Sequence, residues 1–201
     1  YWRDWSSDVC SSDLDHRSVF GGQASQSWVT EIAEHQWIQN TIGLQFRQDH
    51  IRLGLMNTES QINQSTIRID QVRQRLLGVY GEQAVVWNRW LRTVTGLRLD
   101  QFDARVNSEL QPQNSGTASG FKSSPKLSVI LEPWHQSEIF FNVGKGFHSN
   151  DARGMTTKID PQTGQATNTA PALVSALGRE VGLKTQLFPE VSTSLTFWRL
   201  S

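Results

Sequence analysis

Residues 91–100 read LRTVTGLRLD, and the two sides of this stretch are unlike. In an extended chain successive side chains point to opposite faces. Leu91, Thr93, Thr95, Leu97 and Leu99 therefore share one face, and Arg92, Val94, Gly96, Arg98 and Asp100 the other. The same period of two runs through Leu127, Val129 and Leu131, through Ile139, Phe141, Val143 and Phe147, and through Leu177, Val181 and Leu183. Polar or small residues interleave them, among them Ser128, Glu132, Glu138, Asn142, Gly144, His148, Glu180, Gly182 and Lys184. Upstream, Ile42, Leu44 and Phe46 mark a strand within 41–52, and Leu77 and Val79 another within 68–83, with 56–66 as the loop between them. From about Ser25 onward no 3.6-residue period is sustained, so the fold class is all-β.

The connections sort by length. Residues 133–136 and 188–190 are tight turns, each with a proline (Pro133, Pro189) that interrupts the ladder. The turn at 86–90 carries Trp87 and Trp90, and Trp134 sits in another short turn, as an aromatic girdle at a membrane boundary would place them. Between the short turns lie two long polar stretches, 107–124 and 150–171. Short turns at one end and long loops at the other are the asymmetry of an antiparallel up-and-down transmembrane β-barrel. About eight strands of roughly 9–12 residues are expected, each long enough for a tilted membrane crossing.

Composition narrows the function classes. Of 201 residues, 19 are Lys or Arg and 19 are Asp or Glu, which leaves no electrostatic footprint for nucleic acid. A hydrophobic fraction of 37% and a mean hydropathy of −0.45 are compatible with strands greasy on one face only. No apolar run approaches the length of a helical span. The five histidines show no metal-ligand spacing, no phosphate-binding glycine loop is present, and no nucleophile–base arrangement stands out, so neither an enzyme nor a resident metal or cofactor is expected. Residues 4–14, DWSSDVCSSDL, resemble the conceptual translation of a sequencing adapter. They contain Cys10, the only cysteine, so 15–201 has no thiol chemistry of its own.

Residues 146–154 (GFHSNDARG), 124–126 (SPK), 180–183 (EVGL) and 96–100 (GLRLD) occur in an order and spacing that resemble the barrel of TonB-dependent outer-membrane receptors. The resemblance runs from about Thr41 to Ser201. It implies a barrel of about twenty-two strands, closed by a plug domain, importing a scarce nutrient such as a ferric siderophore or cobalamin with TonB-coupled energy. It also implies the outer membrane of a double-membraned bacterium as location, and as partners the lipid bilayer, the plug, the TonB system through the plug, and a small-molecule or metal-chelate ligand. On this reading 1–14 is adapter-derived and 15–201 is part of the barrel domain, an open arc of about eight strands without plug or closing strand.

Three residues opening the loop after the third of the clear strands, His148, Asp151 and Arg153, are candidates for ligand contact. The structural alternative is that Asn150 and Asp151 end the strand and Arg153 anchors the loop. Gly144 and Gly146 face inward, where they would let a neighbouring strand or loop come close. Arg98, Glu132, Glu138 and Lys184 alternate onto the same polar face. With register set from the middles of the loops, Arg98 falls near Glu132, Glu132 near Glu138, and Glu138 near Lys184. Such a row would face the lumen and the plug. The lipid-facing set is Leu97, Leu99, Val129, Leu131, Ile139, Phe141, Val143, Val181 and Leu183. A soluble ligand-binding barrel or sandwich would instead bury that set, and a small structural outer-membrane barrel is a further alternative.

Overall fold

The computed structural model describes residues 10–59 and 62–201. Its strands are β1 (Cys10–Ala33), β2 (Gln36–Glu59), β3 (Ile62–Asn88), β4 (Leu91–Ser108), β5 (Gly116–Trp134), β6 (Ser137–Ser149), β7 (Leu173–Phe188) and β8 (Val191–Leu200). They form one antiparallel sheet in strict chain order, with β1 and β8 as its two edges. This is the expected open, up-and-down arc. Two-residue turns at 34–35, 89–90, 135–136 and 189–190 lie at one end. His35 and Gln136 take the left-handed backbone there, at φ 62° and 60°, as sharp hairpins demand. At the other end are 109–115 and 150–172. The expected loop at 56–66 is mostly strand, β2 reaching Glu59 and β3 starting at Ile62, and its remaining residues 60–61 lie outside the described residues.

The strand register gathers the apolar set on one face. Leu131 faces Ile139, which faces Leu183, and Val129 faces Phe141, which faces Val181. Leu91 opposite Leu131 brings Leu97 and Leu99 to the same side. None of the nine residues belongs to the buried core, and Phe141 is 46% exposed. We call this the outer face. Its apolar surface continues through Ile42, Leu44, Leu77 and Val79 on β2 and β3, and Leu195 and Phe197 on β8.

The strands of the first half run far past the expected length, 24, 24 and 27 residues for β1 to β3. Towards the loop end the polarity of the two faces reverses while the alternation continues. Ile51, Val72, Phe102, Ala104 and Val106 point to the inner face and are buried there, whereas His50, Arg73, Asp103 and Arg105 point outward and are exposed. The residues read as a long loop, 107–124, are thus mostly strand: β4 continues to Ser108 and β5 begins at Gly116. Ser and Gly there keep the backbone ladder because β4 pairs with it residue by residue, from Arg105 opposite Thr117 to Arg98 opposite Ser124. Pro133 also lies within β5, where pairing with β6 slips between Leu131 and Trp134. Phe147, expected beside Phe141, packs instead against the inner cluster. β6 has by then left β5, whose pairing with it ends at Lys126 opposite Gly144.

Candidate functional site

The inner face at the loop end is covered by 150–172. A one-turn helix, α1 (Ala152–Thr156), sets Ala152 and Met155 into the apolar cluster formed by Ile51, Val72, Phe102, Ala104 and Val106. Asp151 caps this helix: its carboxylate accepts from the Arg153 backbone N–H at 2.9 Å and from the Arg153 guanidinium at 2.7 and 3.0 Å. Asn114, fully buried, latches the covering segment to the 109–115 turn. Its Oδ1 accepts the N–H groups of Lys158 and Ile159 at 2.9 and 3.0 Å, and its Nδ2 donates to the Ile159 carbonyl at 2.8 Å. Asn150 donates to the Pro171 carbonyl at 2.8 Å and closes the base of the segment. Nothing in the local sequence marks Asn114 as a latch, because its partners in the covering segment lie more than forty residues away.

Below the cover the inner face carries charge pairs. Arg98 Nη2 donates to Asp100 at 2.7 Å and to Gln45 Oε1 at 3.0 Å, and its guanidinium carbon lies 6.0 Å from the Tyr80 ring centre. Asp100 is fully buried. Gly78 makes room for the pair, since a Cβ there would collide with the Arg98 guanidinium and the Asp100 carboxylate. Lys126 pairs with Glu82, Arg47 with Asp49 at 2.8 Å, and Arg68 with the buried Asp70.

The expected row of four is only partly assembled. Arg98, Glu132, Glu138 and Lys184 do share the inner face, and Glu138 stands opposite Lys184. Arg98, however, stands opposite Ser124, not Glu132, whose N–H donates to the Trp90 carbonyl at the turn end. The error came from setting register through a long 107–124 loop that is largely strand; a shorter loop moves every pair. Gly146 has open space where a Cβ would stand, and at Gly144 a Cβ would make ordinary contact at 3.6 Å, so neither provides close approach. Asp100, Gln45, Tyr80, Gly78 and Asn114 were missed, since each acquires its role from a different strand or loop.

A sequence profile described as TonB dependent receptor-like, β-barrel, matches residues 3–201. The chain belongs to the TonB-dependent receptor β-barrel family. Its fold is similar to the unliganded ferric citrate transporter FecA, with a TM-score of 0.75 at 12% identity over 94% of this chain and 28% of that one. It is also similar to the Serratia marcescens hemophore receptor HasR, solved with its hemophore HasA and heme (TM-score 0.69, 15% identity, 92% of this chain, 33% of that one). The copper transporter OprC is a third relative in fold (TM-score 0.66, 11% identity, 94% and 30% covered). The TonB-dependent receptor chain described here thus spans a third or less of the length of these structures. No curated protein matches it by sequence.

Within this receptor segment Asp151 and Arg153 are engaged with each other, while His148 is exposed at the end of β6 opposite Val174. Burial raises the Asp151 pKa, but the Arg153 hydrogen bonds and the charges of Arg153 and Arg68 outweigh it, and the net direction is down from 3.8. A carboxyl whose folded pKa is depressed contributes stability above its unfolded pKa and loses it as pH falls through the folded one. The 150–172 cover should therefore be indifferent to pH above about 4 and loosen below it. Limited proteolysis by pepsin between pH 4 and 2 should cut within 150–172 progressively faster, and Asp151→Asn should flatten that dependence. A variant with the same pH profile as the parent would remove Asp151 from the account.

Proposed function

We propose that this chain is part of the barrel of an outer-membrane receptor that imports a scarce nutrient, such as a ferric siderophore or cobalamin, with TonB-coupled energy. The observation that carries the reading is the two-faced sheet. Its outer face exposes a continuous apolar surface that no protein core covers, and its inner face holds ion pairs and a folded loop. A soluble barrel or sandwich would enclose the apolar face; a membrane barrel turns it to lipid and keeps polar groups in the lumen. On this reading Arg98, Glu132, Glu138 and Lys184 line the lumen where the plug domain sits, and 109–115 and 150–172 stand at the extracellular mouth. Asp151 and Arg153 fix the mouth loop, which leaves the exposed His148 at the end of β6 as the candidate of the three for ligand contact. Residues 1–14 are proposed to be adapter-derived and 15–201 barrel; residues 1–9 lie outside the described residues.

The test uses the full receptor carrying this segment, in cells whose only iron source is a labelled ferric chelate, with cobalamin in a parallel assay. Uptake of one of these should require both the receptor and TonB. Replacing Glu132 and Glu138 together by Gln should lower it severalfold while the amount of folded barrel is unchanged. Uptake that persists without TonB would overturn the coupling, and an unaffected double variant would reduce the two carboxylates to structural groups.

A further inference from the structure

The sheet divides above Lys126. β5 pairs with β6 only as far as Lys126 opposite Gly144, whereas β4 stays on β5 to Gly116 and β7 stays on β6 to Ser149. Pro125 stands at the point of division. Glu132 donates its N–H across to β4, so even-numbered residues of β5 turn their backbone groups to β4 and odd-numbered ones to β6. Pro125 therefore meets β6 without an N–H, and the ladder stops there. Among the described residues nothing pairs with the β6-facing backbone of 117–123. On the other side the division starts at a rung without side chains, Gly144 opposite Gly178.

Beyond this point the two sides overlap. By alternation Phe147 and Leu173 belong to the outer face, with Phe141 and Val181. Both nevertheless pack against the cluster on the inner face of β2 to β4, where Leu173 is buried. A Cβ at Gly120, on the inner face of β5, would stand 2.9 Å from Leu173 Cγ and 3.5 Å from Ala172 Cβ. The upper end of the β6–β7 ribbon thus leans inward, laps its outer face over the inner face of β5 and carries the 150–172 cover with it. The joint is not filled: a cavity of about 260 Å³ lies between Phe147 and Ser149 on one side and Arg47, Asp49, Leu76 and Phe102 on the other.

The unpaired edge of β5 has a natural occupant in the upper part of β6. Continuing their ladder past Pro125 sets Ser123 opposite Phe147 and Phe121 opposite Ser149, and it forms about five backbone hydrogen bonds. It also turns Phe147 and Leu173 outward, away from the inner cluster. The ribbon closes the wall either by backbone pairing or by apolar overlap, because one face cannot point out and in at once. We propose that the upper β6–β7 ribbon exchanges between these two seats. In the lapped seat it covers the inner cluster; in the zipped seat it joins β5 and uncovers Ile51, Val72 and Phe102 to the mouth. Pro125 keeps the lapped seat favoured by denying the zipped one a hydrogen bond. That the cluster lies at a mouth rests on the transporter reading; the exchange itself does not.

The experiment uses the full receptor in liposomes, freed of its other cysteines, with cysteine pairs oxidised separately. Gly120→Cys with Ala172→Cys has the Cβ separation of a disulfide, roughly 3.5–4.5 Å, and should cross-link the lapped seat readily. Gly116→Cys with Thr156→Cys, whose Cβ atoms would stand 3.4 Å apart, repeats the test without crowding Leu173. Phe121→Cys with Ser149→Cys spans a rung that exists only in the zipped seat, and it should cross-link slowly, as that seat is visited. Pro125→Thr should speed this third cross-link about fivefold, the equivalent of about 1 kcal/mol for one recovered hydrogen bond. Thermolysin should cut 150–172 quickly in the zipped disulfide and slowly in the lapped ones, and reduction should bring the rates together. If both lapped pairs stay reduced, the overlap is wrong. A Phe121–Ser149 pair that never cross-links, or whose rate Pro125→Thr leaves unchanged, would overturn the exchange. None of these readouts needs a ligand, so their failure with TonB-dependent uptake intact would leave the transporter reading untouched.

Discussion

Replacing Arg98 by Met should lower the stability of the folded barrel by about 3 kcal/mol, because it leaves a buried charge without its partner. Asp100 has no exposed side-chain surface, and among the described residues the hydrogen bonds to its carboxylate come from Arg98, whose own side chain is 30% exposed. The carboxylate would be left buried without a partner, in a pocket closed by Gly78 and the strand backbone. The opposite deletion is milder, since Arg98 would retain Gln45, the Tyr80 ring and water. Urea unfolding of the full receptor in liposomes, followed by tryptophan fluorescence, should show the midpoint fall for Arg98→Met. Arg98→Met combined with Asp100→Leu should recover most of the loss, as replacing a buried ion pair by apolar groups commonly does. Equal loss in the single and double variants would mean that the site responds to lost packing, with no contribution from the stranded charge.

Phe141→Arg should cost about 2–4 kcal/mol, the penalty for a cation near the midplane of the lipid face. Phe141 is flanked along β6 by Ile139 and Val143 and across the sheet by Val129 and Val181, all on the outer face. The same change at Phe121, which stands at the upper margin opposite Gln101 and is 60% exposed, should cost no more than about 1 kcal/mol. The pair of variants separates a depth-dependent lipid environment from a general intolerance of arginine on the strands. Equal destabilisation at Phe121 and Phe141, or none at either, would contradict the membrane placement of this face.

Local alternation was enough to establish the class of fold, a count of about eight strands and the two faces of the lower parts of β4 to β7. The apolar members of β4 to β7 were legible because a side chain that meets lipid must be apolar at every second position, whatever its neighbours do. The short turns were legible for a similarly local reason, since two-residue hairpins restrict the backbone that enters them. The reversal of polarity in the upper half was not legible. Ser, Gln, Asn and Gly across 107–124 compose like a loop, yet 116–124 is strand, because water wets its outer face while 150–172 covers part of the inner one.

Register was the other property that only the tertiary structure decided. Arg98 and Glu132 have the right parity for a shared face, but parity is unchanged by any even shift, and pairing distributes its free energy over a whole ladder. The true length of the 109–115 connection moved Arg98 to Ser124 and gave its charge to Asp100 on the same strand. Asn114 shows the same limit from the loop side: an ordinary turn residue by composition, it becomes a buried latch because 158–159 is folded back onto it. Alternation is a property of one strand and is written in its residues. The neighbour that each face meets is set by closure of the whole sheet and its loops, which no single segment encodes.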